Sequence, residues 1–96
     1  MTFAFHPDAK TEFFAAIEYY EREEAGLGFD FSVEVFSAIQ NIVDYPTAWS
    51  MVGSDVHRCL VNRFPYGVLY SIEEKQIYIL AVMHLHRDPD YWKERR

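Results

Sequence analysis

The apolar residues of this chain follow a helical spacing in the first half and a strand spacing in the second. A short strand is predicted over residues 2–6, where apolar residues alternate loosely with others. In the next segment, residues 8–24, Phe13, Ile17 and Tyr20 recur at helical intervals, and acidic residues cover the other faces. This pattern predicts an amphipathic helix.

A second helix is predicted over residues 29–44. Gly26 and Gly28 favour a break before it, and Pro46 follows its end. Because the link between the two helices is short, they are expected to be antiparallel neighbours. The apolar stripe of the second helix consists of Phe31, Val35, Ile39 and Ile42.

In the second half the apolar period changes to two, which predicts strands over residues 56–64, 66–72 and 77–85. The last of these is apolar on both faces and is therefore expected to be central in its sheet. The predicted fold class is α+β in the order β-α-α-β-β-β, with a helical hairpin packed on one face of a mainly antiparallel sheet. Residues 1–96 are expected to form one domain that ends in a short tail helix near Pro89.

Composition and charge restrict the partners of such a domain. Half of the 96 residues are hydrophobic and 18% are aromatic, so some aromatic surface is expected to await a partner. The sheet face that the helices do not cover is left to the solvent, the C-terminal tail or such a partner. The net charge is −6, but its distribution is uneven. Residues 1–55 carry two basic and ten acidic residues, and residues 56–96 carry seven basic and five acidic ones. This acidic front half argues against direct binding of nucleic acid, which needs a broad basic face.

The chain is expected to work in the cytoplasm. Cys59 is the only cysteine, lies within a strand pattern, and is expected to be a buried, inert thiol. The N-terminal residues lack the order of a signal peptide, and no apolar run approaches the length that spans a membrane. These features predict a protein of a reducing, aqueous compartment with no membrane partner.

No cofactor and no metal ion are expected. His84 and His86 fall on one side of a strand, and His57 or Asp88 could approach them in space. Two histidines without a third ligand at a defined spacing are more typical of exposed or structurally bonded histidines.

The basic residues of the second half leave two interpretations open. Strand alternation places Arg58 and Arg63 on opposite faces. In one interpretation the basic residues form a solvated sheet edge with weak ion pairs. In the other, a set of them gathers over the open sheet face and binds phosphate or an acidic peptide. That set is Arg58, Arg87, Lys93, Arg95 and Arg96.

The sequence contains no pattern of a familiar enzyme. A glycine-rich phosphate loop, a Ser-His-Asp arrangement and a zinc-protease helix are all absent. A cluster of acids on the first helix is expected to be a solvated face rather than an acid–base site. Those acids are Glu18, Glu21, Glu23 and Glu24.

Two segments of the second half resemble a known family. The first contains Phe64-Pro65-Tyr66 followed by Val68 and Tyr70 within the run 56–70. The second extends from Ile79 to Arg95 and places Ala81, Val82, His84, Arg87, Pro89 and Trp92 in the order of that family's ending. In the front half, Ala9, Glu12, Tyr19-Tyr20-Glu21 and Pro46 agree as well. Together they resemble the RelE/ParE toxin superfamily, and the ParE-like or plasmid-stabilisation branch in particular.

This resemblance implies the toxin of a type II toxin–antitoxin system, neutralised by a cognate antitoxin in a heterotetramer or larger complex. It also implies one of two actions, inhibition of DNA gyrase by binding or cleavage of mRNA on the ribosome. The residues that it implies for cleavage are Arg58, Arg63, Arg87 and Tyr91. The residues that it implies for target binding are Arg58, His84, Arg87, Tyr91, Trp92 and Arg95.

Binding of gyrase is the favoured expectation. Cleavage needs clustered cations to stabilise the charge that develops on the phosphate, and the second half has a surplus of only two. The family's small residue after the histidine is replaced by Leu85. A ribosome-dependent endoribonuclease and a non-toxic binding module with the toxin fold remain the alternatives. In each case Trp92 is expected to pack on the sheet or the second helix.

Overall fold

The computed structural model describes residues 1–95 and contains two helices and five strands. The helices are α1 (Pro7–Glu23) and α2 (Leu27–Asp44). The strands are β1 (Thr2–Phe5), β2 (Ser50–Met51), β3 (His57–Leu60), β4 (Tyr66–Glu73) and β5 (Gln76–His84). The α+β class and the order of the predicted elements are confirmed, with the short strand β2 as an addition.

The strands form one sheet in the order β1-β5-β4-β3-β2. Neighbouring strands are antiparallel except for β1, which pairs in parallel with β5. The prediction that the last long strand is central is therefore confirmed. Because β1 ends where Phe5 pairs with Ile79, no strand of the described residues lies on that side of the remainder of β5. No helix of residues 1–95 is long and apolar enough to cross a membrane.

The two faces of the sheet have separate apolar cores. Phe13 of α1 and Phe31 of α2 pack with Val68 and Ile79 in the larger core. The smaller core lies on the opposite face. A bulge between Leu69 and Tyr70 in the β4–β5 ladder allows consecutive residues of β5 to serve the same face.

The first helix and the start of the second are held together by Glu21. Its carboxylate accepts hydrogen bonds from the N–H groups of Gly26, at 2.9 Å, and Gly28, at 3.1 Å. A carboxylate at this position stabilises the exposed amides of a helix N-terminus. The second helix consequently begins at Leu27, two residues before the predicted start, and Glu21 is not merely a solvated acid.

The strand predicted over residues 56–64 is shorter, because its last part forms a turn. β3 ends at Leu60, and Arg63 adopts a positive φ of 71°. The Val61 N–H then donates to the Tyr66 carbonyl at 2.9 Å, which closes the turn before β4. A non-glycine residue with positive φ ends a regular strand.

The tail packs on the sheet face that the helices leave free, which is one of the three alternatives that the sequence left for this face. Trp92 is only 4% exposed and packs on this face against Val56, Leu69 and Leu80. The prediction that Trp92 packs on the sheet is thereby confirmed. A tail helix is not observed. The segment is a series of turns, such as the one closed by the Lys93 N–H and the Asp90 carbonyl at 3.1 Å.

Candidate functional site

The C-terminal segment is anchored to the first helix by the carboxylate of Glu12. Arg95 donates to both of its oxygens at 2.9 Å, and Arg87 lies 3.4 Å from one of them. The same carboxylate accepts the N–H of Val82 at 3.1 Å, and Arg95 also donates to the Leu80 carbonyl at 3.0 Å. The Glu12 and Arg95 side chains are 14% and 13% exposed, so the pair is largely shielded from solvent.

Tyr91 lies between the two guanidinium groups that surround Glu12. Its ring centre is 3.7 Å from the guanidinium carbon of Arg87 and 4.8 Å from that of Arg95, and both distances are within the range of cation–π contacts. The Tyr91 hydroxyl is buried and has no hydrogen-bond partner of good geometry among residues 1–95. Burial, and then the nearby Glu12 carboxylate, raises the pKa of Tyr91 far above its ordinary value. The neutral phenol is therefore strongly favoured, and Tyr91 is poorly suited to accept a proton near pH 7.

Arg58 and Arg63, the other two arginines that the resemblance implies for cleavage, lie away from this cluster and away from each other. Arg63 forms ion pairs with Asp30 at 3.6 Å and Glu34 at 3.7 Å, both on the second helix. Arg58 lies on the opposite side of the sheet, since its neighbour Cys59 belongs to the helix-side core. Their separation agrees with the prediction, although the turn at Arg63 rather than strand alternation produces it.

The stem of Arg58 lies across Gly67 on the next strand. A Cβ on Gly67 would come within 3.1 Å of the Arg58 side chain, so the glycine leaves room for the stem. The Arg58 Nε is buried without a hydrogen-bond partner among the described residues.

The predicted gathering of basic residues over one face does not form. Arg87 and Arg95 meet around Glu12, Lys93 pairs with Asp90 at 3.0 Å, and Arg96 lies outside the described residues.

The histidines do not form a metal centre. The rings of His84 and His86 lie 5.2 Å apart, and the His84 Nδ1 accepts the N–H of His86 at 3.1 Å. His57 is stacked on Tyr70 and bonded to the Trp49 carbonyl. Within residues 1–95 no group of three possible ligands lies close enough to hold a metal ion.

Burial raises the pKa of the Cys59 thiol, which disfavours the reactive thiolate.

A groove of about 260 Å³ runs between the first helix and the end of the last strand. Its walls include the small side chains of Ala15 and Ala16 on α1 and the edge of β5 at Val82 and His84. Arg87, whose side chain is 54% exposed, closes one side of the groove.

An exposed apolar stripe runs along the outer face of the second helix. Phe29, Val33 and Phe36 are 69%, 45% and 48% exposed and are spaced four and three residues apart. Phe14 of the first helix is 51% exposed and stacks on Phe13, which in turn contacts Phe36 edge to face. We call Phe14, Phe29, Val33 and Phe36 the outer stripe. The aromatic surface that the composition predicts for a partner lies here.

Glu12 is the functional candidate that sequence reasoning underestimated. The sequence indicated only that Glu12 favours the positive N-terminus of the first helix and that it is one of the residues that carry the family resemblance. An acid on an amphipathic helix has no visible partner in the sequence. Its partners Arg87 and Arg95 are 75 and 83 residues away. The one available signal was the presence of both arginines in a tail that the resemblance also covers.

The family model described as the ParE toxin of the type II toxin–antitoxin system, parDE, matches residues 3–89. That match covers most of the chain, and the chain therefore belongs to the ParE toxin family. Among curated proteins, no relative matches this sequence.

A solved structure supports the fold. The chain is similar to a chain of the "Chromosomal ParDE TA system from P. aeruginosa", with a TM-score of 0.75 and 15% sequence identity. The similarity covers 90% of this chain and 97% of that one. The arrangement of a helical hairpin on a mainly antiparallel sheet is thus the fold of that structure.

Proposed function

We propose that this protein is a cytoplasmic toxin that a small cognate antitoxin neutralises, and that it acts by binding DNA gyrase. The observation that supports an antitoxin partner is the outer stripe. Large apolar side chains at i, i+4 and i+7 on an exposed helix face suit an amphipathic partner segment that folds as it binds. Burial of such side chains supplies the main free energy of protein association.

The antitoxin is expected to be encoded by a short neighbouring gene. Co-expression of both chains and measurement of their dissociation constant by calorimetry tests this. Phe29→Asp combined with Phe36→Asp should weaken the complex at least about 30-fold, which corresponds to about 2 kcal/mol. Met51→Asp is the matched control, because Met51 is 53% exposed and lies on β2, the edge strand of the sheet. Equal effects of both changes would contradict a role of the outer stripe.

Binding of a protein target, rather than cleavage of RNA, is supported by the state of the arginines. Arg63 is paired with two carboxylates of α2, and Arg87 and Arg95 share the carboxylate of Glu12. Cations that are already paired contribute little to the stabilisation of a developing phosphate charge. The residues proposed for contact with the target are Arg58, His84, Arg87, Tyr91, Trp92 and Arg95, and of these Trp92 and Arg95 would act mainly by holding the tail in place.

A supercoiling assay tests the choice of target. Purified toxin should inhibit supercoiling of relaxed plasmid by gyrase, and addition of the antitoxin should restore it. Relaxation by topoisomerase I is the control for general interference with DNA. Toxicity in cells without any effect on gyrase would overturn this part of the proposal, and absence of toxicity would favour the non-toxic binding module.

A further inference from the structure

The C-terminal tail leaves part of its sheet face uncovered. Trp92 is buried on this face against Leu69 and Leu80. Leu60, which alternation along β3 places on the same face as Arg58, is nevertheless 54% exposed. A large apolar side chain therefore borders Arg58 at a place that the tail does not shield from solvent.

A second exposed leucine approaches Arg58 above Gly67. A Cβ on Gly67 would lie 3.1 Å from the stem of Arg58 and 3.6 Å from a methyl carbon of Leu85. Leu85 follows β5 directly and is 37% exposed. We call Arg58, Leu60 and Leu85 the Arg58 patch, which consists of one guanidinium bordered by two exposed leucines.

The guanidinium of Arg58 has no anionic partner within residues 1–95. The other four arginines of this part of the chain all pair with carboxylates, and they are Arg22, Arg63, Arg87 and Arg95. The terminal nitrogens of Arg58 make no hydrogen bond among these residues, and unlike the buried Nε they reach the surface. A half-buried charge with unused donors is suited to an anion that arrives with a partner molecule.

The surroundings of Arg58 favour a carboxylate carried by a protein. A guanidinium can form two parallel hydrogen bonds with a carboxylate, and apolar side chains around it exclude water from those bonds. A nucleic acid instead needs several cations along the path of its backbone. The described arginines near this face are otherwise paired, and residues 1–55 carry ten acidic against two basic residues.

We propose that the Arg58 patch binds an aspartate or glutamate side chain of the protein target, and that apolar neighbours of this acid pack on Leu60 and Leu85. The inference deepens the proposed function and rests on it as far as the target is gyrase. Arg58 supplies the charge-assisted contact. The two leucines select an acid that lies among apolar residues rather than in a wholly charged segment.

Binding of purified gyrase to toxin variants tests the patch on the target. Arg58→Gln keeps much of the stem over Gly67 and should weaken binding at least about 30-fold, as expected for an arginine at the centre of an interface. Arg58→Lys should recover only a minor part of that loss, because an ammonium group cannot form the two parallel bonds. Leu85→Ser should weaken binding about tenfold, as expected for an apolar contact of the interface core.

The matched control is Lys75→Gln, which removes a cation at the exposed turn between β4 and β5 and should leave the affinity unchanged. Thermal unfolding confirms that each variant is folded. Gyrase binding that is unaltered by Arg58→Gln, or fully recovered by Arg58→Lys, would overturn the proposal while the proposed function stands.

A peptide probe tests the same chemistry without gyrase. The Nε–H resonance of Arg58 in isotope-labelled toxin is followed by NMR as a capped leucine–glutamate–leucine peptide is added to about 5 mM, the range of weak binding. The resonance should shift to saturation, and the leucine–glutamine–leucine peptide should leave it unchanged. Equal shifts with both peptides, no shift with either, or saturation by oligouridylate at a lower concentration would overturn the proposal. A saturable shift with the glutamate peptide, in a toxin that does not bind gyrase, would overturn the proposed function and leave this inference intact.

Discussion

At the scale of single residues, Glu12 joins parts of the chain that are distant in sequence. Its carboxylate bonds to Val82, Arg87 and Arg95, which lie 70, 75 and 83 positions further on. A carboxylate with this many charge-assisted bonds and little exposure is stabilising only as long as its partners are in place. Glu12 is therefore the main polar anchor of the tail on the first helix.

Glu12→Gln is expected to lower the free energy of unfolding by about 3 kcal/mol, because it removes the nearest counter-charge of the shielded Arg95. The second carboxylate beside Arg95, that of Asp8, is 3.8 Å away and exposed. Urea denaturation at pH 7 measures this change. Glu18→Gln is the control, since Glu18 and its partner Arg22 are more than 70% exposed. An exposed pair of this kind contributes less than about 1 kcal/mol. Similar losses in both variants would show that the Glu12 cluster has no special weight.

Tyr70 should make the fold sensitive to alkali. It is fully buried, its hydroxyl donates to the Pro46 carbonyl at 2.6 Å, and burial raises its pKa from 10.0 to about 12. Because the folded state holds this proton more tightly, its contribution is complete below pH 10 and is lost as the pH rises from 10 to 12. The loss is about 3 kcal/mol, at about 1.4 kcal/mol for each pKa unit.

Comparison of wild type with Tyr70→Phe isolates that contribution. The free energy of unfolding is measured at pH 8 and at about pH 12, and the decrease between them should be smaller in the variant. Half-buried tyrosines such as Tyr66 have raised pKa values as well and keep some alkaline sensitivity in both proteins. An identical decrease in both proteins would contradict the assignment to Tyr70.

At the scale of secondary-structure elements, the close approach of the two helices depends on Gly28. A Cβ at this position would lie 2.6 Å from the carbonyl oxygen of Ile17 in the facing helix. Alanine normally stabilises a helix by about 1 kcal/mol relative to glycine. Gly28→Ala should instead lower the melting temperature, because the hairpin must open to admit the methyl group. A higher melting temperature would show that the helices separate without cost.

The tail contributes to stability through one large side chain. Trp92→Ala removes an indole that is 4% exposed from the smaller core and should cost about 3 kcal/mol. Thermal and urea denaturation measure this cost. Tyr45→Ala, at a position that is 66% exposed, should change stability by less than about 0.5 kcal/mol. If both variants melt like the wild type, the indole has no anchoring role.

The elements that the sequence predicted well are those whose apolar period is long and regular. Both helices and the central strand were predicted, because Phe13, Phe31 and Ile79 each belong to a regular series of apolar residues. The spacing of each series matches the period of its helix or strand. The turn at Arg63 and the bulge at Leu69 break the period locally and carry no composition signal of their own. Element ends that depend on such local geometry were therefore misplaced.

The candidate site was predicted less well, because its contacts are tertiary. Trp92 was expected to pack on the sheet or the second helix, and it is buried on the sheet. The tail was nevertheless expected to be helical, whereas it is a series of turns. Which of the solvent, the tail and a partner covers the sheet face beneath it was left open. The neutralisation of Arg87 and Arg95 by Glu12 requires knowledge of how the tail crosses the first helix. Alternation within one strand cannot supply that knowledge.

At the scale of the whole molecule, the cations of the second half are distributed rather than focused. Arg63 lies against the second helix, Arg87 and Arg95 lie at the first, and Arg58 lies on the far face of the sheet. A catalyst of phosphodiester cleavage needs several of these groups within reach of one phosphate, together with a group that transfers a proton. Tyr91, the tyrosine nearest to the cations, holds its own proton too tightly for that role at neutral pH.

The protein is therefore expected not to cleave mRNA on translating ribosomes. Primer extension on programmed ribosomes, with purified toxin added at rising concentration, should give no cuts positioned by codon. The acidic front half, with ten acidic against two basic residues, adds repulsion between the protein and RNA that is strongest at low salt. The contrary outcome is a set of codon-positioned cuts that disappear in Arg87→Ala. The control is Lys75→Ala at the exposed β4–β5 turn, which should leave such cuts unchanged. That result would show that the arginines regroup on the ribosome and that the protein is an endoribonuclease.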